Sequence, residues 1–164
     1  MNDGRERSPS RWHDDASDRD AGHDAMQLHW LKVALKDVET GSKVMPAVWT
    51  GAEYPFTASG RIIGFADIAT RFQEPEHDDK QKTRDEFWIF YELKPRIYSV
   101  GAVIRQVTAT EYVAKRHFKE WRGPRPSFAV IPVVYVDDPK LGMLREMFDG
   151  DVMVCGCAAR GDEP

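Results

Sequence analysis

The sequence predicts a mainly β protein: a small closed β-barrel of about six strands, followed by a C-terminal extension that carries one short helix. Three observations lead there. Short runs rich in β-branched and aromatic residues, some alternating apolar with polar, recur from Leu28 to Val136 between clusters of Gly, Pro and Ser. Only one segment, Leu141 to Phe148, repeats its apolar residues clearly at helical spacing. A chain of 164 residues is one domain's worth of core, and many short strands in so small a unit close most simply as a barrel.

Residues 1–25 are Asp-, Arg-, Ser- and Gly-rich, and Trp12 is their single large apolar residue. Such a segment cannot offset its ordering entropy and reads as a disordered acidic tail. Met26 opens the ordered pattern and is a second candidate start. The barrel is placed at residues 26–122. Leu31, Val33 and Leu35 alternate with Lys32, Ala34 and Lys36, the period of a half-buried strand. Glu39 to Ser42 is a turn, and Pro46 to Thr50 is a short extended piece. Arg61 to Phe65 is another strand. Gln73 to Glu86 is dense in charge and reads as a long exposed loop. Phe87 to Leu93 is the clearest strand, and Tyr98 to Val107 and Glu111 to Phe118 follow as two more.

Gly123-Pro124-Arg125-Pro126 breaks the chain and opens the extension, 123–164, expected to pack on the barrel as strand, helix and strand. Phe128 to Val136 is almost wholly apolar, a buried or edge strand interrupted by Pro132. Asp138-Pro139 suits a helix start. Leu141, Leu144, Met147 and Phe148 then form one face, and Gly150 ends the helix. Asp151 to Cys157 is a last short strand.

Composition is that of an ordinary globular protein, 41% hydrophobic and 30% charged. No run approaches the roughly 18 apolar residues of a membrane span, and no apolar stretch adjoins the N-terminal arginines. Two cysteines make no disulfide framework. The expected setting is cytoplasmic, with no membrane partner. The net charge of −4 is uneven: residues 1–25 hold four cations against seven acids and residues 126–164 three against seven, which leaves the middle at +3.

Within that middle, Glu39, Gly41, Lys43 and Pro46, then Gly51, Tyr54 and Phe56, then Phe65-Ala66-Asp67-Ile68, and last Glu92-Leu93, Pro95, Gly101 and Ile104-Arg105 fall in one order. Together these resemble the C-terminal, third β-barrel domain of translation elongation factor Tu, over about residues 31–118. The chain departs from that pattern at Gln106 to Val113, where the family has a glycine-rich turn and this sequence has no glycine. The resemblance implies a barrel that works through contacts with proteins and with RNA. The factor's GTPase is not implied, because no GxxxxGK[ST] phosphate loop occurs.

Three groups of residues invite a functional reading. Lys115, Arg116, His117, Phe118, Lys119, Trp121, Arg122 and Arg125 set cations beside aromatic rings, as an RNA-binding surface does; the plainer alternative is a strand with a solvated face. Met143, Met147 and Phe148 offer an adaptable apolar surface to a protein partner, or a plug for the barrel. Cys155 and Cys157 are half a zinc site, with no second pair to complete it, and buried inert cysteine is the simpler account. Glu74, Glu76, His77, Asp78 and Asp79 form an acidic loop that reads as solvated charge. The leading functional expectation is therefore a non-catalytic binding module with an unidentified protein partner and no cofactor. The alternatives are an RNA-binding accessory protein acting through residues 112–125, and a small enzyme whose site only folding assembles.

Overall fold

The computed structural model describes residues 21–40, 45–75 and 84–156. Its elements run α1 (Ala21–Thr40), β1 (Ala47–Ala58), β2 (Arg61–Gln73), β3 (Glu86–Lys94), α2 (Val100–Lys119), β4 (Ser127–Tyr135), α3 (Leu141–Met147) and β5 (Met153–Cys155). The five strands lie in sequence order in one open sheet. β1, β2 and β3 form an antiparallel meander, while β4 is parallel to β3 and β5 parallel to β4. Parallel neighbours need a crossover, and α2 and α3 supply the two crossovers.

The closed barrel is thus replaced by an open mixed sheet with helices on both faces. The two largest differences have one cause: a helical burial period hidden under β-favouring residue types. In α1 the inward positions are His23, Met26, Gln27, Trp30, Leu31, Ala34 and Val38, a three-and-four spacing, while Val33 and Leu35 point outward. The alternation at 31–35 is incidental. In α2 the buried residues are Val100, Val103, Val107, Ala114, His117 and Phe118, again helical, although Val and Thr are common there. Ser99 caps this helix, its Oγ accepting from the Ala102 N–H at 3.4 Å. Helix α1 also opens inside the stretch assigned to the N-terminal tail; residues 1–20 lie outside the described residues.

Other expectations are met. β3, β4, α3 and β5 stand close to where the sequence puts them. β1 and β2 are longer than expected and meet at Ser59-Gly60, whose φ values of 51° and 73° make the tight hairpin turn. Pro132 is tolerated in β4 because β5 pairs only from Val133 onward, so the missing N–H costs no ladder bond to β5. Asp138 works harder than a helix cap: Oδ1 accepts from Lys140 N at 2.9 Å and Oδ2 from Ile97 N at 2.8 Å.

Each face of the sheet carries its own core. Phe56, Ala66, Trp88, Phe90 and Val130 pack under α2 against Val107, Ala114 and Phe118. Ile68, Tyr91, Leu93, Ile131, Val133 and Tyr135 pack under α1 against Met26. A third cluster joins α3 to the start of α2 through Val100, Val103, Leu141 and Leu144.

Candidate active site

The sheet opens at one place. The β2–β3 ladder runs from Gln73↔Glu86 to Ile68↔Tyr91 and then stops, while β2 continues along β1 and β3 along β4. The next residues on the two strands are Asp67 and Glu92. Strands that part leave backbone groups to satisfy, and side chains do it here. Asp67 Oδ2 accepts from the Leu93 N–H at 2.7 Å, and the Asp67 carbonyl accepts from Gln27 Nε2 of α1 at 3.1 Å. Opposite Asp67 on β1, Glu53 takes a left-handed backbone conformation with φ of 50°, a strained choice for a non-glycine residue.

Around this opening four elements deliver polar side chains. Glu92 is only 2% exposed. Its Oε1 accepts from Thr110 Oγ1 at 2.8 Å, and its Oε2 accepts from Gln106 Nε2 at 3.0 Å and Lys94 Nζ at 3.3 Å. Thr110 and Gln106 lie four residues apart, on one face of α2. Lys94 follows Glu92 by two positions, on the same face of β3. From α1, His23 Nε2 stands 3.4 Å from Asp67 Oδ1. The His23 Nδ1 is buried without a hydrogen-bond partner among the described residues.

The two carboxyls are driven in opposite directions. Burial opposes ionisation of Asp67, but the His23 hydrogen bond, the Lys94 charge and the Leu93 N–H outweigh it and hold the group below the usual carboxylate range. Burial pushes Glu92 upward, and the Asp67 charge adds to this against the opposing Lys94 and Thr110. His23 is raised chiefly by its hydrogen bond to Asp67, with burial opposing. Two neighbouring carboxyls driven in opposite directions mark a candidate reaction centre.

Among the described residues no three His, Cys, Asp or Glu side chains form a ready-made metal cage. The oxygen donors near the opening are the carboxylates of Asp67 and Glu92, and the Lys94 ammonium stands 3.3 Å from the latter. A Mg²⁺-type cation needs only one or two carboxylates, keeping its waters and taking its remaining oxygens from a substrate phosphate.

The residues singled out from sequence lie elsewhere. Lys115, Arg116 and Lys119 are exposed on a helix, not a strand, and His117 and Phe118 are buried. His117 is a structural tie: Nε2 meets Tyr54 Oη at 3.0 Å, and Nδ1 meets the Thr57 N at 3.0 Å. Trp121, Arg122 and Arg125 follow α2 and line a cavity of about 540 Å³. Met143 and Met147 are exposed on α3, and Phe148 is half-buried between two cores. Cys155 is fully buried and disulfide-bonded, so it offers no thiolate to a metal; Cys157 lies outside the described residues. Of the acidic loop only Glu74 is described, and its Oε2 accepts from Asp85 N.

His23, Asp67, Glu92, Lys94, Gln106 and Thr110 were not singled out. A signal existed: Asp67 and Glu92 each interrupt an otherwise apolar strand, FADIA and FWIFYEL. An acid inside a buried strand is costly unless it has a role. Among the described residues no helix is long and apolar enough to cross a membrane. No family model, curated protein or solved structure matches the chain.

Proposed function

We propose that the protein is a divalent-cation-dependent hydrolase of phosphodiesters, with a polynucleotide as the substrate class. The observation that carries this reading is the pair Asp67 and Glu92 at the point where β2 and β3 part, with Lys94 3.3 Å from Glu92. A bound Mg²⁺ or Mn²⁺ would supply charge at the phosphate oxygens and acidify a water. Asp67 and Glu92 are the residues to hold it. Asp67 is kept anionic and oriented by Leu93 N and His23. Gln106 and Thr110 fix the rotamer of Glu92 from above. Lys94 places an ammonium beside the same carboxylate, where it meets developing negative charge on phosphorus oxygens. In the reaction the water oxygen forms a bond to phosphorus and the ester P–O bond breaks. The water gives up one proton and the leaving oxygen takes one, so no redox partner is needed.

The polynucleotide is favoured over a small phosphate ester by the charge of the neighbouring helix. Between residues 105 and 125 there are six Lys or Arg against two Glu, in a chain whose net charge is −4. The binding-module reading rests on the exposed Met143 and Met147, two side chains on a seven-residue helix, and is the weaker of the two.

The test uses the full chain with end-labelled DNA and RNA, with Mg²⁺, with Mn²⁺ and with EDTA. Cleavage is expected with metal alone, and Asp67→Asn, Glu92→Gln and Lys94→Ala each lower it by about 10³-fold or more. Metal should also raise the melting temperature of the wild type and not of Asp67→Asn. Wild-type protein that neither cleaves nor gains stability with metal overturns the reading.

A further inference from the structure

A second feature of α2 bears on how a substrate reaches this site. At about 100° per residue, Arg105, Tyr112, Arg116 and Lys119 fall within roughly 60° of arc on the outer face of the helix. All four are exposed, Tyr112 by 63%. Arg105, at one end of the stripe, precedes Gln106, whose side chain leaves the helix about 100° around from it to bond Glu92; the other end meets Trp121, Arg122 and Arg125, which line the cavity at the N-terminal ends of β3 and β4. A second cavity of about 570 Å³ adjoins it and shares Glu86, Trp121 and Arg122.

The acids along this path are engaged elsewhere or stand off the stripe. Glu86 Oε1 accepts from Trp88 Nε1 at 2.6 Å, and Glu120 Oε2 accepts from Ser59 N at 2.7 Å. Glu111 lies about 100° away from Tyr112 around the helix. Asp85 is the acid that opposes the arginines inside the cavity of about 540 Å³. Arg122 and Arg125 have no ion pair among the described residues. Free guanidinium groups beside Trp121 and Phe87 combine charge for phosphates with aromatic surface for unpaired bases.

We propose that the outer stripe of α2 and the cavity at Trp121, Arg122 and Arg125 form one track for an unpaired polynucleotide strand, leading to the Asp67–Glu92 cluster. The direction of use rests on the hydrolase reading above; the binding itself does not. An unpaired strand is favoured over a duplex because Trp121 and Phe87 lie in the lining of a cavity, where only splayed bases can reach them. Arg105 to Lys119 spans fourteen residues, roughly 21 Å of helix. A strand long enough to follow that length gains phosphate contacts that a very short one lacks.

Fluorescence anisotropy in EDTA tests this on the full chain with labelled 16-nucleotide oligo-dT and oligo-U, a 4-nucleotide strand and a 16-base-pair duplex. The 16-mer of DNA, of RNA, or of both should bind at least ten-fold tighter than the 4-mer and the duplex. Arg122→Glu with Arg125→Glu should weaken it at least ten-fold and flatten the slope of log affinity against log salt by about 1.4, two contacts at ~0.7 each. The milder Arg122→Gln with Arg125→Gln serves if the reversal unfolds the chain. Trp121→Ala should cost about ten-fold. Equal binding of the 4-mer, preference for duplex, no binding of either 16-mer, or wild-type affinity and salt slope in the arginine variants each overturn the track. Binding without metal-dependent cleavage sinks the hydrolase reading alone; cleavage with binding indifferent to these variants sinks the track alone.

Discussion

Asp67 and Glu92 stand on adjacent strands, yet one is held below its ordinary range and the other pushed above it. At Asp67 the His23 hydrogen bond, the Lys94 charge and the Leu93 N–H together outweigh burial, whereas at Glu92 burial and the Asp67 charge outweigh Lys94 and Thr110. Tyr91, in the core under α1, shows the same burial effect. Its phenol is pushed up to about 12, first by burial, then by the charge of Asp37, with a Thr70 hydrogen bond opposing. In the unfolded chain the group ionises near 10. Between pH 10 and 12 the unfolded state has released a proton that the folded state keeps, so stability falls as pH rises through that window. The loss from Tyr91 reaches about 3 kcal/mol at its upper end. Urea titrations followed by circular dichroism from pH 9 to 12 should show a shallower decline for Tyr91→Phe. Parallel decline of both proteins would reject the assignment.

At the scale of elements, α2 carries the most weight, because it spans the distance from the candidate site to the hairpin tip. Near its start, Gln106 and Thr110 hold Glu92. At its end, His117 bonds Tyr54 and Thr57 of β1, and Glu120 bonds Ser59 in the β1–β2 turn. His117→Ala would leave the Tyr54 hydroxyl and the Thr57 N–H without these partners. Each orphaned group costs about 1–3 kcal/mol, so the variant should lose roughly 2–6 kcal/mol in a denaturant titration. Amide exchange at Thr57 should accelerate with it; an unchanged midpoint would show that β1 does not depend on this tie. Sequence reading took α2 for two strands because Val100, Val103, Ile104, Val107, Thr108, Thr110 and Val113 are β-branched. Local preference among such residues is worth only tenths of a kcal/mol each. Burying Val100, Val103, Val107, Ala114 and Phe118 on one face outweighs it.

Considered as a whole, the molecule is one sheet between α1 on one face and α2 with α3 on the other, and β3 is its keystone. Tyr91 and Leu93 of β3 face the α1 core; Trp88, Phe90 and Glu92 face α2. Phe90 is fully buried and meets Phe56 at 4.8 Å between ring centroids, with Tyr54, Trp88, Phe118 and Phe128 also around it. Phe90→Ala should therefore destabilise by about 3–5 kcal/mol, enough to consume much of a typical domain's margin. The midpoint of urea unfolding measures it. A loss under about 1 kcal/mol would mean that the aromatic cluster repacks and that the α2 face is not a tightly packed core.

Strand placement from β3 onward was legible because the apolar runs at Phe87–Leu93 and Phe128–Val136 are bounded by turn residues, and α3 because Leu141, Leu144 and Met147 keep one helical face. Those features are local, written in neighbouring residues. The open sheet, the helical state of residues 21–40 and 100–119, and the meeting of His23, Asp67, Glu92, Lys94 and Gln106 are not local. They depend on which faces find partners once the chain has folded. Glu92 and Lys94 are two residues apart, but Gln106 is fourteen positions on, Asp67 twenty-five before and His23 sixty-nine before. Hydrophobic burial on the two faces of β3 gathers them, and the parting of β2 from β3 leaves the opening they occupy.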